Sequence, residues 1–275
     1  MIYNDLLPHD YCEVYSCREI FMNLSKYLDN NYELICRPWM VPHPPTNKKF
    51  ITIVTSSEGH TYVPPESEDP NCLGIFMHYF PTQTPYESRL QYIKNIYPLH
   101  LGNKSKFLPR SSKNIQERKY SVGFIGQLDP YRRVEFHAFA QAVKARYSDS
   151  YIHFYEGWNK GVGEDNYSRL MGDFKIALVP WGSASLTTFR YYEAISSGCI
   201  LLKCHLYTHK DLKEEDPVGH YDIHDWTDND RLFYTIDHML VDERQEFSRI
   251  SNLRYYNKYL SPAACAEFIL DHLPL

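Results

Sequence analysis

After Tyr120 the sequence switches back and forth between two periodicities, and this alternation restricts the possible folds more than any other feature of the chain. Short apolar runs rich in β-branched and aromatic residues, "YSVGFIG" (120–126), "YIHFYE" (151–156), "KIALVP" (175–180) and "CILLK" (199–203), read as strands. The segments between them, from about Arg132 to Arg146, "EDNYSRLMG" (164–172) and 187–197, read as helices. Strands separated by helices pair in parallel through crossovers that lay helices on both faces of the sheet. A doubly wound α/β sheet is expected, with any ligand beyond the carboxyl ends of its strands.

The first third alternates less regularly. "REIFMNLSKYLDN" (18–30) reads as an amphipathic helix on Ile20, Leu24, Tyr27 and Leu28, and "YELICRPWMV" (32–41) and "KFITIVTS" (49–56) as strands. Proline-rich loops precede the second strand and the apolar run "CLGIFMHYF", and "YESRLQYIKNIY" (86–97) reads as a helix after two prolines. Residues 103–119 are polar and basic without an apolar period, as in a linker. The end, "DNDRLFYTIDHML", "ERQEFSRISNLRYYNKYL" and "PAACAEFILDHL", reads as three helices. With 275 residues, two α/β lobes joined near residue 110, 1–110 and 111–275, are the economical arrangement. A ligand cleft is expected between them, and the terminal helices are free to pack back on the first lobe.

Charge and cysteine usage narrow the partners. A formal net charge of −5 gives no basic field for nucleic acid or an anionic membrane. No run approaches the roughly 18–20 apolar residues of a membrane span, and the N-terminus lacks a basic then apolar leader. Seven cysteines, an odd number without CxxC spacing, read as reduced and mostly buried thiols. The expectation is a soluble, cytoplasmic protein in which the sequons at Asn23 and Asn103 go unused.

The stretch "VPWGSASLTTFRYYE" (179–193) is unusual for a strand-to-helix connection. It follows a strand end, so its hydroxyls and amides face the ligand edge of the sheet. Ser185, Thr187 or Thr188 can cap the helix, whose N-terminal amides and positive dipole end suit a diphosphate. Arg190 in the first turn adds charge, and Glu193, three residues on, can accept from both hydroxyls of an attached ribose. The alternative is an ordinary capped helix carrying a surface Arg–Glu pair.

Ser185, then Phe189-Arg190-Tyr191-Tyr192-Glu193-Ala194, then Gly198-Cys199-Ile200 resembles the C-terminal motif of exostosin-like glycosyltransferases. The resemblance covers residues 118–205 and reaches the N-terminal third only faintly; "GCILL" here replaces the usual "GCIP". It implies the GT-B fold, two Rossmann-like lobes with the donor site mostly on the C-terminal one and an acceptor-side N-terminal one. It also implies inverting transfer of a sugar from a nucleotide diphosphate, most simply UDP, to a glycan hydroxyl without an obligatory metal or other cofactor. UDP-xylose, UDP-glucuronate, UDP-galactose and UDP-N-acetylglucosamine are the candidate donors, which makes a xylosyltransferase one candidate activity. Glu193 takes the ribose role by the same likeness. "GFIGQLDPYRR" (123–133) is similar too: Gly126 ends a strand and lets backbone approach a ligand, and Arg132 or Arg133 neutralises the leaving diphosphate.

An inverting transfer needs a base. Glu58, in "TSSEGHTY" just past a strand end, is the chosen residue, with His60, His9, Asp10 and His78 as rivals. Trp158, in "YEGWNKGVG", either stacks on the base of the nucleotide or covers its own loop, and Trp181 has the same two readings. "DND" at 228–230 has the form of a metal-binding Asp-x-Asp but lies late in the chain, where Thr227 or Asp228 reads better as a helix cap. The pairs His205/His209 and His220/His224 lack a third ligand, so no metal site is expected. A sugar-nucleotide epimerase of the same fold and a non-catalytic glycan- or nucleotide-binding module remain open alternatives.

Overall fold

The computed structural model describes residues 1–8, 13–55, 63–78, 93–104, 106–127, 134–157, 161–182, 188–204 and 219–274. The chain divides into two compact units, one holding Met1–Ser105 and Lys258–Leu275, the other Lys106–Leu206 and Asp216–Asn257.

The first unit is a parallel sheet of five strands, β1 (Ile2–Asp5), β2 (Tyr32–Pro38), β3 (Lys49–Thr55), β4 (Cys72–Met77) and β5 (Ile96–Pro98), lying side by side in chain order. Successive strand residues point to opposite faces. Leu34, Cys36, Ile51, Ile53 and Phe76 join Cys17, Ile20 and Leu24 of helix α1 (Val14–Leu24) and Cys265, Ala266 and Ile269 of the C-terminal helix Pro262–Asp271. Ile35, Phe50, Val54, Ile75 and Met77 build the core of the other face.

Two expectations need correction here, and one strand is new. Helix α1 starts at Val14 rather than Arg18 and stops at Leu24, which leaves Tyr27 65% exposed beyond the apolar stripe. The end of the expected helix 86–97 is a strand: Ile96 pairs with Ile75, so the three residues of β5 owe their conformation to the neighbouring strand. Residues 86–92 lie outside the described ones. The N-terminal strand β1, polar at Asn4 and Asp5, was not anticipated and is likewise defined by its parallel pairing with β2.

At the end of β2 the fully buried Arg37 makes a bidentate ion pair with the fully buried Glu66 (Nη2 to Oε2 2.7 Å). Arg37 Nη1 also donates to the carbonyls of Pro38, Trp39 and Val41 at 3.1, 3.2 and 2.9 Å. One guanidinium thereby folds the loop after β2 onto the 3₁₀ turn Pro65–Glu68.

The second unit contains β6 (Tyr120–Gln127), α2 (Val134–Arg146), β7 (Tyr151–Tyr155), α3 (Glu164–Met171), β8 (Phe174–Val179), α4 (Phe189–Ser196), β9 (Ile200–Cys204), β10 (His220–Ile223), α5 (Asn229–Val241) and α6 (Gln245–Tyr255). All five strands are parallel, in the order β10-β9-β8-β6-β7. Phe136, Phe139 and Val143 of α2 and Leu232, Ile236 and Met239 of α5 cover one face, against Val122, Phe124, Ile176, Leu178, Ile200 and Leu202. Each such side chain contributes about 1.5–3 kcal/mol by leaving water. The other face carries α3, α4 and α6. β10 had not been read from the sequence; its polar edge is paired to β9, with His220 opposite Leu201.

Residues 106–119 do more than link. Phe107 and Ile115 are buried, and the buried Arg118 donates to Phe174 O at 2.7 Å and Ser197 O at 2.6 Å. Single apolar residues and an arginine aimed at carbonyls carry no period, which is why the segment reads as a linker. Asp228 caps α5, its Oδ1 accepting from Arg231 N–H at 3.1 Å, as "DND" was read. Six described cysteines are buried. No helix among the described residues is long and apolar enough to cross a membrane.

Candidate functional site

Strand order singles out a candidate site. From β6 the chain steps to β7 on one side, then crosses back over β6 to β8 and continues outward. The order therefore reverses between β6 and β8, and in open α/β sheets ligands bind outside the carboxyl ends of the strands at such a reversal. The first unit's strands follow chain order and contain no such reversal among those described. The carboxyl ends in question are Ile125-Gly126-Gln127 and Val179-Pro180-Trp181, with α4 following the latter.

Arg190 bridges the two strand ends. Its Nε and Nη2 donate to Ile125 O at 3.0 and 2.7 Å, and its guanidinium lies 4.5 Å from the centre of the Phe124 ring. Gly126 makes this possible: a Cβ there would stand 2.4 Å from Arg190 Nη2 and 2.6 Å from Phe124 Cζ. The space a Cβ would take at Gly126 is thus filled by a guanidinium. Two nitrogens of Arg190 are committed to backbone, and its positive charge is fixed at the strand reversal.

Glu193 is only 2% exposed, which overturns the alternative of a surface Arg–Glu pair. It sits one turn into α4, and its Oε2 accepts from the hydroxyl of Tyr167 on α3 at 2.6 Å. That length is typical of a hydroxyl donating to a charged carboxylate. Burial, and then the negative charge of Glu193, push the Tyr167 phenol well above its ordinary pKa. Tyr167 was missed in the sequence, where a tyrosine beside Leu170 and Met171 reads as ordinary helix packing. Its only signal is its place in α3, the helix that leads into β8.

Thr188, one of the three candidate caps, occupies the N-cap of α4 without a side-chain cap bond; its Oγ1 is shut from solvent and has no hydrogen-bond partner among the described residues. Trp181 is 43% exposed immediately after β8. Glu58, Arg132, Arg133, Trp158, Ser185 and Thr187 lie outside the described residues, as do His9, Asp10, His60, His205 and His209. His78, at the carboxyl end of β4, is fully buried; burial and the neighbouring His100 push its pKa down to about 3, so it is a neutral imidazole at ordinary pH. Among the described residues no group of three or more His, Cys, Asp or Glu side chains is arranged to hold a metal ion.

No family model and no curated protein matches the chain. Solved structures do. An α-glucosyltransferase in complex with UDP and a 13-mer DNA containing an HMU base aligns with a TM-score of 0.52 at 9% identity, over 93% of this chain and 83% of that one. A variant of TarM from S. aureus, in complex with Fondaparinux, α-GlcNAc-glycerol and UDP, aligns at 0.51 and 13% identity over 94% of this chain. TarM itself aligns at 0.50 and 14% identity, also over 94%. This chain spans 58% of the length of TarM. At such identities the likeness establishes the fold: two parallel five-stranded α/β units of the GT-B class.

Proposed function

We propose that this chain is a glycosyltransferase that takes a sugar from a nucleotide diphosphate, with the nucleotide held on the second unit where β6 and β8 end. The observation that carries the reading is Glu193, a dry carboxylate on the helix that opens at the strand reversal. A carboxylate accepts through two oxygens with about four lone-pair sites, so one already held by the Tyr167 hydroxyl can also take the vicinal hydroxyls of a ribose. The fold likeness to an α-glucosyltransferase and to the TarM variant, both solved with UDP, supports a UDP-linked donor.

On this reading Gly126 and the end of β6 lie beside the donor. Amides of α4 with Ser185, Thr187 and Thr188 meet the diphosphate, and Trp158 lies along the nucleotide. The acceptor hydroxyl attacks the anomeric carbon opposite the diphosphate. Its proton passes to a base, for which Glu58 is the proposed residue, and the bond from the anomeric carbon to the diphosphate oxygen breaks with its electrons going to that oxygen. Arg132 or Arg133, together with the fixed charge of Arg190, stabilises the negative charge that grows there, without a metal ion. The motif from Ser185 to Ile200 supports an exostosin-like, inverting enzyme with a glycan acceptor.

A thermal-shift screen of UDP, GDP, CMP and ADP on the wild type and on Glu193→Ala tests the nucleotide seat. UDP at a hundred times its Kd is expected to stabilise the wild type by about 2.7 kcal/mol and the variant far less. Equal stabilisation of both removes the ribose role of Glu193, and a chain unmoved by every nucleotide refutes the seat. Incubation with a UDP-sugar, with and without glycan acceptors and EDTA, tests the reaction. A sugar altered without acceptor points instead to an epimerase, and binding without turnover to a binding module.

A further inference from the structure

Tyr167 and Glu193 meet across 26 positions of sequence, and what surrounds the tyrosine shows that its hydroxyl is aimed by packing. Its ring stands edge-on to Phe107, centroids 5.7 Å apart at 67°. Its own N–H is bonded to Gly163 O at 2.8 Å, and the next residue, Ser168, accepts from Leu108 N–H at 3.1 Å. The helix carrying Tyr167 is therefore pinned to the segment that enters the unit. Held well above its ordinary pKa, the phenol remains a donor throughout the neutral range.

A glutamate needs such a partner. Its terminal torsion is broad and roughly two-fold, so an unheld carboxylate samples many planes. Accepting two neighbouring hydroxyls at once requires one plane only. We propose that Tyr167 is a positioning residue that locks the Glu193 carboxylate for ribose recognition, so that the site prefers ribonucleotides to 2′-deoxyribonucleotides. The proposal rests on the reading of Glu193 as the ribose acceptor, and the experiment separates the two.

Binding of UDP and of 2′-deoxy-UDP is measured by calorimetry on the wild type and on Tyr167→Phe, which removes one oxygen and keeps the ring. A site built around hydroxyls rejects an analogue that lacks one, so the wild type is expected to bind UDP at least tenfold more tightly. In Tyr167→Phe the affinity for UDP should fall about tenfold, the loss of one hydrogen bond to a charged group. The affinity for 2′-deoxy-UDP should hardly change, so the preference collapses. A wild type without preference overturns the ribose reading and this proposal with it. A preference that survives in Tyr167→Phe overturns the positioning role alone, as does an equal fall for both ligands, which marks plain packing. Should Tyr167→Phe not fold, Glu193→Asp withdraws the carboxylate from the phenol while keeping its charge; full preference in that variant also overturns the proposal.

Discussion

Replacing Gly126 with alanine is expected to destabilise the second unit more than a single methyl suggests. The new Cβ would lie 2.4 Å from Arg190 Nη2 and 2.6 Å from Phe124 Cζ, both far inside contact distance. Phe124 is 1% exposed and packed edge-on against Phe136 at 4.7 Å, so its ring has little room to retreat. Overpacking of this kind costs about 1–3 kcal/mol. Arg190 can move, but only by giving up its bonds to Ile125 O; losing hydrogen bonds from a charged donor costs about 1.5–3 kcal/mol. The smaller entropy of an alanine in the unfolded chain returns about 0.4–1 kcal/mol. The balance is a loss of about 3 kcal/mol, read as a shift of the urea midpoint with an unchanged slope. The same substitution in an Arg190→Ala background isolates the cause, because the clash with the guanidinium is then absent. There the cost of Gly126→Ala should drop by at least about 1 kcal/mol, a coupling ordinary for residues in contact. An identical cost in both backgrounds would refute the claim that Gly126 exists to admit Arg190.

Two further outcomes follow from buried titratable groups in the first unit. His78 binds its proton with a pKa of about 3 when folded and about 6.5 when unfolded, so between those values the unfolded chain carries more protons and stability rises with pH. Lowering the pH from 7 to 5 should cost about 2 kcal/mol through this residue, and His78→Gln should lack that component in urea titrations at the two pH values; parallel losses would disprove it. Glu66→Ala leaves the buried Arg37 without its carboxylate and should destabilise by about 3–5 kcal/mol, with Glu66→Gln costing less because a bond to the guanidinium survives. A thermal midpoint unmoved by Glu66→Ala would show that the Arg37 carbonyl bonds suffice.

The alternation of strand and helix from Tyr120 to Cys204 was legible in the sequence because the forces that make it are local. A buried parallel strand must be apolar along its length, and the helix after it must carry its own period, so each element announces itself. The hydroxyl-rich approach to α4 and the placing of Glu193 on that helix were legible for the same reason. The short strands β1, β5 and β10 were not, since three or four residues hold an extended conformation only through hydrogen bonds to a neighbour far along the chain. Only the tertiary structure decided the strand order, and with it the reversal between β6 and β8 where the ligand edge is proposed. It alone turned Arg190 onto Ile125, 65 positions away, and set Tyr167 against Glu193. Periodicity reports which face of an element is buried, whereas the partner that face meets depends on how the crossovers wind the sheet.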